Sequence, residues 1–460
     1  MPWIRPLPVA FVVLALGTPL AGADGELDPG FHGDGRVELH PIPGAHFASY
    51  RLIDAPDGAL VSAGATLIGA SQRASWSRVA RTSADPASCN LEVAGATWSR
   101  YWAGTFDPTG RLVVAGEVDF AGQRQGVLAV YLYPACQLDT SFGGGDGYVL
   151  AGALGSFHFV DVVAFRARFV FNNIPFFATR LVGVGTLGWS IGPDFFENVM
   201  LVGYQADGDL DPDFGFDGLA IHDLADRISA TALEVAPGRE LVVLAHVFQP
   251  SSTALLRLDE DGGLLPHAGS HPGWTVFDLA PLAADQGRGY GLRVTPAGRI
   301  VIAGDTFDDT GNFGVVARRT LPDLDADATF DGDGAREVRC IPGVETEFTE
   351  VVVESDGSIV AGGAVWTDPD HSLCAVRLTA SGALDATFSA DGRAVYSAAV
   401  GAAGGVENPR LALASGRAHL SSSDDDDGGF RRIVILGLTN DLVFRDGFES
   451  GSTAAWTWDL

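Results

Sequence analysis

Two stretches place carboxylates on alternate residues: Asp207-x-Asp209-x-Asp211-x-Asp213 and Asp323-x-Asp325-x-Asp327. Oxygen donors at that spacing suit a hard cation, and calcium loops draw ligands from alternate positions in this way. Neither stretch has the sixth-position glycine or twelfth-position glutamate of an EF-hand. Asp424 to Asp427 is a bare charge run. The competing reading is turn capping that recurs with a repeat. No organic cofactor is expected, and calcium is the ion that Asp207, Asp209, Asp211, Asp323, Asp325 and Asp327 could hold.

Other motifs fail on context. Gly183-Val184-Gly185-Thr186-Leu187-Gly188 fits GxGxxG, and Gly188-Trp189-Ser190-Ile191-Gly192 fits GxSxG. A pyrophosphate site needs a helix N-terminus there, and a nucleophile elbow needs a strand-to-helix turn. Ser190-Ile191-Gly192-Pro193 cannot open a long helix, so strand and loop are expected. His267 and His271 would share a metal only on a helix, and Pro266, Gly269, Pro272 and Gly273 make a loop instead. No catalytic residue is assigned.

A region from Phe157 to Phe196 is rich in aromatics, including Phe165, Phe169, Phe171, Phe176, Phe177 and Trp189. Exposed, they would suit a carbohydrate or peptide; their alternation favours strand core. The four cysteines are Cys89, Cys136, Cys340 and Cys374. Four cysteines permit three pairings. Proximity in sequence favours Cys89 with Cys136 and Cys340 with Cys374.

What positions these residues is a repeat. An apolar run recurs seven times, in all but the Arg180-Leu181 copy after a glycine turn, as in Gly110-Arg111-Leu112-Val113-Val114-Ala115-Gly116 and Gly357-Ser358-Ile359-Val360-Ala361-Gly362. The markers Leu60, Leu112, Leu181, Leu241, Ile300, Ile359 and Ala418 are spaced 52, 69, 60, 59, 59 and 59 residues apart. Between them recurs Leu-Asp-x-x-Phe followed by Asp-Gly, as in Leu384-Asp385-Ala386-Thr387-Phe388 with Asp391-Gly392. Asp-Gly is turn chemistry. Each unit has room for four short strands rich in β-branched residues, and no sustained helical stripe occurs. The fold class expected is all-β: one seven-bladed β-propeller of four-stranded blades. The chain begins with a fourth-strand phrase, Leu27 to Leu39, and the last unit lacks one. The N-terminal strand should therefore complete the last blade and close the ring.

The phrases at Asp356-Gly357-Ser358-Ile359-Val360-Ala361-Gly362 and Leu384 to Phe388 resemble the delta-60 repeat of exported bacterial proteins. The likeness covers about Leu27 to Leu438. That family is thought to form β-propellers, and the resemblance brings no catalytic residue. The tail Phe444 to Ser452 is similar to a short C-terminal Asp-Gly-Phe-Glu-Ser-Gly motif of exported proteins, which implies a sorting or surface role.

Composition sets outer limits. The chain has 460 residues, 47% apolar and 19% charged, and none of its 29 basic residues is lysine. That profile excludes a disordered chain. Arg5, the apolar run Leu7 to Leu16 and Ala21-Gly22-Ala23 read as a cleaved signal peptide. The expected organisation is signal peptide 1–23, propeller 24–442 and tail 443–460. No later run reaches the roughly 20 apolar residues needed to span a membrane. A formal charge of −29 disfavours nucleic acid as a partner. The expectation is a monomeric binding or structural module, secreted or held in the periplasm or at the cell surface. Its partner would be an envelope protein, a peptide or a glycan. A channel-mouth hydrolase or lyase and a surface-displayed adhesin are the rivals.

Overall fold

The computed structural model describes residues 26–39, 45–69, 71–82, 84–152, 156–171, 174–191, 194–224, 227–248, 251–266, 273–279, 287–308, 311–366, 371–396, 407–414, 417–425 and 431–438. The expected signal peptide, the tail, His267, His271, Asp426 and Asp427 lie outside them.

Seven antiparallel sheets form a ring. Blade 1 comprises His46–Asp54, Leu60–Ile68, Ser71–Val79 and Ala84–Asn90; blade 2 comprises Trp98–Phe106, Leu112–Phe120, Gln123–Tyr131 and Tyr148–Ala151. Blade 3 comprises Ser156–Phe171, Ile174–Ile191, Asp194–Gln205 and Leu219–His222; blade 4 comprises Ile228–Val235, Leu241–Phe248, Ser251–Leu258 and Trp274–Phe277. Blade 5 comprises Gly287–Val294, Arg299–Asp308, Gly311–Thr320 and Ala335–Val338, with the short Asp325–Ala326 beside its third strand. Blade 6 comprises Thr346–Val353, Ile359–Trp366, His371–Leu378 and Arg393–Tyr396. Blade 7 takes Glu407–Ala414, Arg417–Asp425 and Arg431–Gly437, and its fourth strand is the N-terminal Arg36–Leu39, with Val37 opposite Ile435. First strands of neighbouring blades pack against one another all round, blade 7 against blade 1 included. The N-terminal strand thus closes the ring and pairs a sheet edge that would otherwise stand open.

The core is divided in seven. Each hydrophobic cluster lies between adjacent blades, as where Leu373 and Ala375 of blade 6 meet Leu411, Leu420 and Val434 of blade 7. Alternate side chains of a strand point to opposite faces, so each sheet feeds two clusters.

The repeated phrases have structural reasons. Every first strand carries a β-bulge near its start, for instance between Ser49 and Arg51 and between Phe348 and Glu350. The bulge pushes a carbonyl toward the second strand. A Cβ at Gly64 would lie 1.8 Å from the Ala48 oxygen, and one at Gly363 would lie 1.8 Å from the Glu347 oxygen. In five blades a glycine, Gly64, Gly116, Gly185, Gly304 or Gly363, is therefore the residue opposite the bulge. The Phe of Leu-Asp-x-x-Phe is a core residue: Phe31, Phe142, Phe214, Phe330 and Phe388 are all buried.

Candidate functional site

The aspartate of the same phrase is an anchor for arginine. Its Oδ1 accepts the backbone N–H two residues on, from Ser141 to Asp139, Asp213 to Asp211 and Thr329 to Asp327. Its other oxygen receives the arginine just before the marker residue of the second strand: Arg111 to Asp139 at 2.9 Å, Arg180 to Asp211 at 2.6 Å and Arg299 to Asp327 at 2.8 Å. Arg417 reaches Asp28 in the same way across the ring closure. In blade 6 Ser358 replaces that arginine, and Arg377 of the third strand approaches Asp385 at 3.5 Å. Thus the two recurring phrases meet as an ion pair. The guanidinium also crosses to the next blade, from Arg111 to the Ala206 carbonyl at 3.2 Å and from Arg180 to the Glu260 carbonyl.

This division splits both aspartate clusters. Asp211 and Asp327 are buried and engaged with arginine, whereas Asp207, Asp209, Asp323 and Asp325 are exposed. Among the described residues, no three His, Cys, Asp or Glu side chains gather closely enough to hold a metal ion. Cys89 and Cys136 form a disulfide with Cα atoms 5.2 Å apart, and Cys340 and Cys374 form another at 6.3 Å. The GxGxxG stretch and the first four residues of GxSxG lie within the long strand Ile174–Ile191. The aromatic region divides: Phe157, Phe159 and Phe165 are core, while Phe176 and Phe177 are about half exposed near the hairpin end.

The channel has three layers. Midway, the first strands contribute a belt of alternating charge. Arg51 Nη1 bonds Glu350 at 2.9 Å and Arg51 Nη2 lies 3.7 Å from Asp161; Arg293 bonds Glu234 at 2.9 Å and lies 3.4 Å from Glu350. Asp161 also accepts the Leu233 N–H at 3.0 Å. Arg410 completes the belt and donates to the Tyr50 carbonyl at 2.5 Å. Burial opposes the charge on Arg51, but Glu350, Asp161 and Glu234 more than offset it and hold its pKa up. Three cations thus face three anions, the arrangement that buried charges require.

On the face of the glycine turns, the belt floors a cavity of about 890 Å³. Arg51, Glu234 and Arg293 reach it from below, and Asp54, Thr105, Phe106, Pro296 and Ser355 stand around it. Burial, and then the carboxylate of Asp57, pushes Asp54 up to about 6. Burial also raises Glu234, against the pull of Arg293.

At the opposite mouth runs a collar of polar and aromatic groups. In blade 2, Arg100 and the bulged Trp102 both donate to Oε1 of Glu117, at 2.6 and 2.9 Å. Blade 5 repeats the arrangement: Asp305 pairs with Arg288 in register and shares a hydrogen bond with the bulged Tyr290. Between them, Tyr50 of blade 1 lies 4.5 Å from the Trp102 ring, centroid to centroid. Glu347 of blade 6 interacts electrostatically with Arg410, Arg288 and Asp305. Blades 3 and 4 add His158 and His246, which feel Glu117 and Arg288 respectively. Burial drives both histidines down and, joined by the Glu347 charge, pushes Asp305 up to about 7.

None of the belt or collar was selected from the sequence. Charged residues inside short strands read as solvent-facing. One signal was present: an arginine or acid beside the bulge position of the first strand, as at Arg51, Asp161, Glu350 and Arg410.

The family model described as "Domain of unknown function (DUF5122) beta-propeller" matches residues 354–388. These residues span the glycine turn after the first strand, the second and third strands and the Leu-Asp-x-x-Phe phrase of blade 6. No curated protein matches. Among solved structures, a protein of unknown function from Dyadobacter fermentans is 14% identical with a TM-score of 0.44, over 88% of this chain and 98% of that one. Sqt1 from Chaetomium thermophilum is 14% identical with a TM-score of 0.40, over 85% and 83% of the two chains. An aldose sugar dehydrogenase from Streptomyces coelicolor is 13% identical with a TM-score of 0.37, over 88% and 98%.

Proposed function

We propose that this propeller is an exported delta-60-type binding scaffold without catalytic activity, and that its ligand occupies the cavity on the turn face. The observation that carries the reading is the cavity itself. Its volume of about 890 Å³ suits a small molecule or a peptide segment. Its floor is an ion-paired belt already in place before any ligand arrives. Such preorganisation favours binding, because little ordering remains to be done. Export follows from the signal-like N-terminus, and the intact mass of the mature protein should correspond to a chain beginning at Asp24.

The test is a thermal melt of the mature protein with a panel of short peptides and zwitterionic small molecules. A ligand of the native state raises the midpoint with concentration. Ala297→Trp, on the turn beside the cavity, should abolish that shift. A shift that persists in full in this variant removes the cavity from the reading.

One observation favours a catalytic alternative. Asp54 and Glu234, two carboxyls held above their ordinary range, line the same cavity. Two such groups serve as acid and base in many hydrolases. Turnover by the wild type that Asp54→Asn abolishes would establish it.

A further inference from the structure

The collar is a second site, on the far side of the belt from the cavity. We propose that it binds a neutral polyhydroxylated ligand, a saccharide, between the aromatic side chains of Tyr50, Trp102 and Tyr290 and the polar groups beside them. Three observations carry this.

The first is continuity. The groups are drawn from six blades, with Arg410 of the belt joining Tyr50 to Glu347, and they touch or feel one another round the ring, as traced above from His158 to His246. They form one surface, not scattered pairs.

The second is unmet hydrogen bonding. Glu117, Asp305 and His246 are at least nine-tenths buried, at 1%, 5% and 9% exposure. Glu117 Oε2, Asp305 Oδ1 and His246 Nδ1 have no hydrogen-bond partner among the described residues, Glu117 Oε2 facing only the Arg124 guanidinium at 3.8 Å. Leaving a buried polar atom unpaired is costly, so three on one collar call for a donor- and acceptor-rich occupant.

The third is chemistry. Arg100, Arg288 and Arg124, whose Nη1 lies 3.8 Å from Glu117, balance Glu117, Asp305 and Glu347, so the collar has no net attraction for phosphate or for a polycation. What it presents is flat rings next to planar carboxyl, guanidinium and imidazole groups. A sugar ring offers the matching surface: an apolar C–H face for the aromatics and hydroxyls that both donate and accept. The bulges supply the rings, because an extra residue in a strand re-aims its side chain.

The experiment is calorimetric titration of the mature protein with maltotriose, cellotriose and N,N′-diacetylchitobiose, and with spermidine and citrate as charged controls. At least one oligosaccharide should bind. Asp305→Ala and Trp102→Leu should each weaken it by about tenfold or more, as loss of a charged hydrogen bond or of an aromatic contact does. Glu347→Gln keeps the shape and should weaken it less, and circular dichroism should show all three variants folded. Ala297→Trp should leave this binding unchanged, which separates the collar from the cavity. No binding by any of the three sugars overturns the proposal, as does preference for spermidine or citrate. Sugar binding that Ala297→Trp abolishes and Asp305→Ala spares also overturns it, and returns the ligand to the cavity.

Discussion

Replacing Arg180 by leucine should be among the most damaging single changes in the molecule. Arg180 and Asp211 are both fully buried, 2.6 Å apart. The guanidinium also holds Asp261 at 2.8 Å and stands 4.9 Å from the centre of the Phe169 ring. Removing it leaves the Asp211 carboxylate buried without its cation, and breaking a buried pair from one side costs about 3–5 kcal/mol. Unfolding entropy near 2.1 cal/mol/K per residue, over about 400 residues, gives roughly 0.8 kcal/mol/K, so the midpoint should fall by about 4–6 °C. The assay is a calorimetric melt at neutral pH of the wild type, Arg180→Leu, Asp211→Leu and the double variant. The double variant buries no charge and should recover most of the loss, since apolar residues of similar volume often replace an ion pair without penalty. A single variant within a degree of wild type, or a double variant worse than either single, would refute the reasoning that this phrase pairs charges to join blades.

Asp305 gives a pH-dependent test. Its folded pKa of about 7 stands above the ordinary value of 3.8, so between pH 4 and 7 the folded state holds the extra proton and stability falls as pH rises. Asp305→Asn should therefore raise the midpoint at pH 8 and change little at pH 4; the difference from wild type is the quantity to plot, because His419, pushed down to about 4 by burial, tilts the wild-type curve the other way. Losing the Cys89–Cys136 disulfide, which joins residues 47 apart, should cost about 2–4 kcal/mol, read without reductant as a lower midpoint for a Cys89→Ala/Cys136→Ala variant than for the wild type. Millimolar calcium should leave the midpoint unchanged, because Asp211 and Asp327 are already held by arginine; a rise that EDTA reverses would assign an ion to Asp207 or Asp323 and their neighbours.

The architecture was legible because it rests on local chemistry repeated seven times. Asp-Gly turns, apolar runs and the marker spacing located the blades, and the missing fourth strand of the last unit pointed to Arg36–Leu39. The belt and collar were not legible, because their members lie a whole blade or more apart in sequence and meet only at the axis. Glu350 reads as one acid in an apolar strand until Arg51 stands beside it. The aspartate clusters divide for a related reason. Asp207, Asp209 and Asp211 look alike in the chain, but only Asp211 holds the position from which a carboxylate reaches the arginine of the second strand. The glycine opposite the bulge in five of the blades was visible as a letter of the repeat, and its steric cause was not.

The closure of blade 7 sets the order in which the molecule can be finished. Six blades are made of strands adjacent in sequence, each able to zip as hairpins soon after its residues are present. Blade 7 alone needs Arg36–Leu39 from one end of the described chain and Arg431–Gly437 from the other. Contacts so distant in sequence carry the largest loop-closure penalty and form late. The same four-residue strand is then the latch of the ring. A competing peptide with the sequence of residues 26–39 would act on that one step, and would have no purchase on the other six blades.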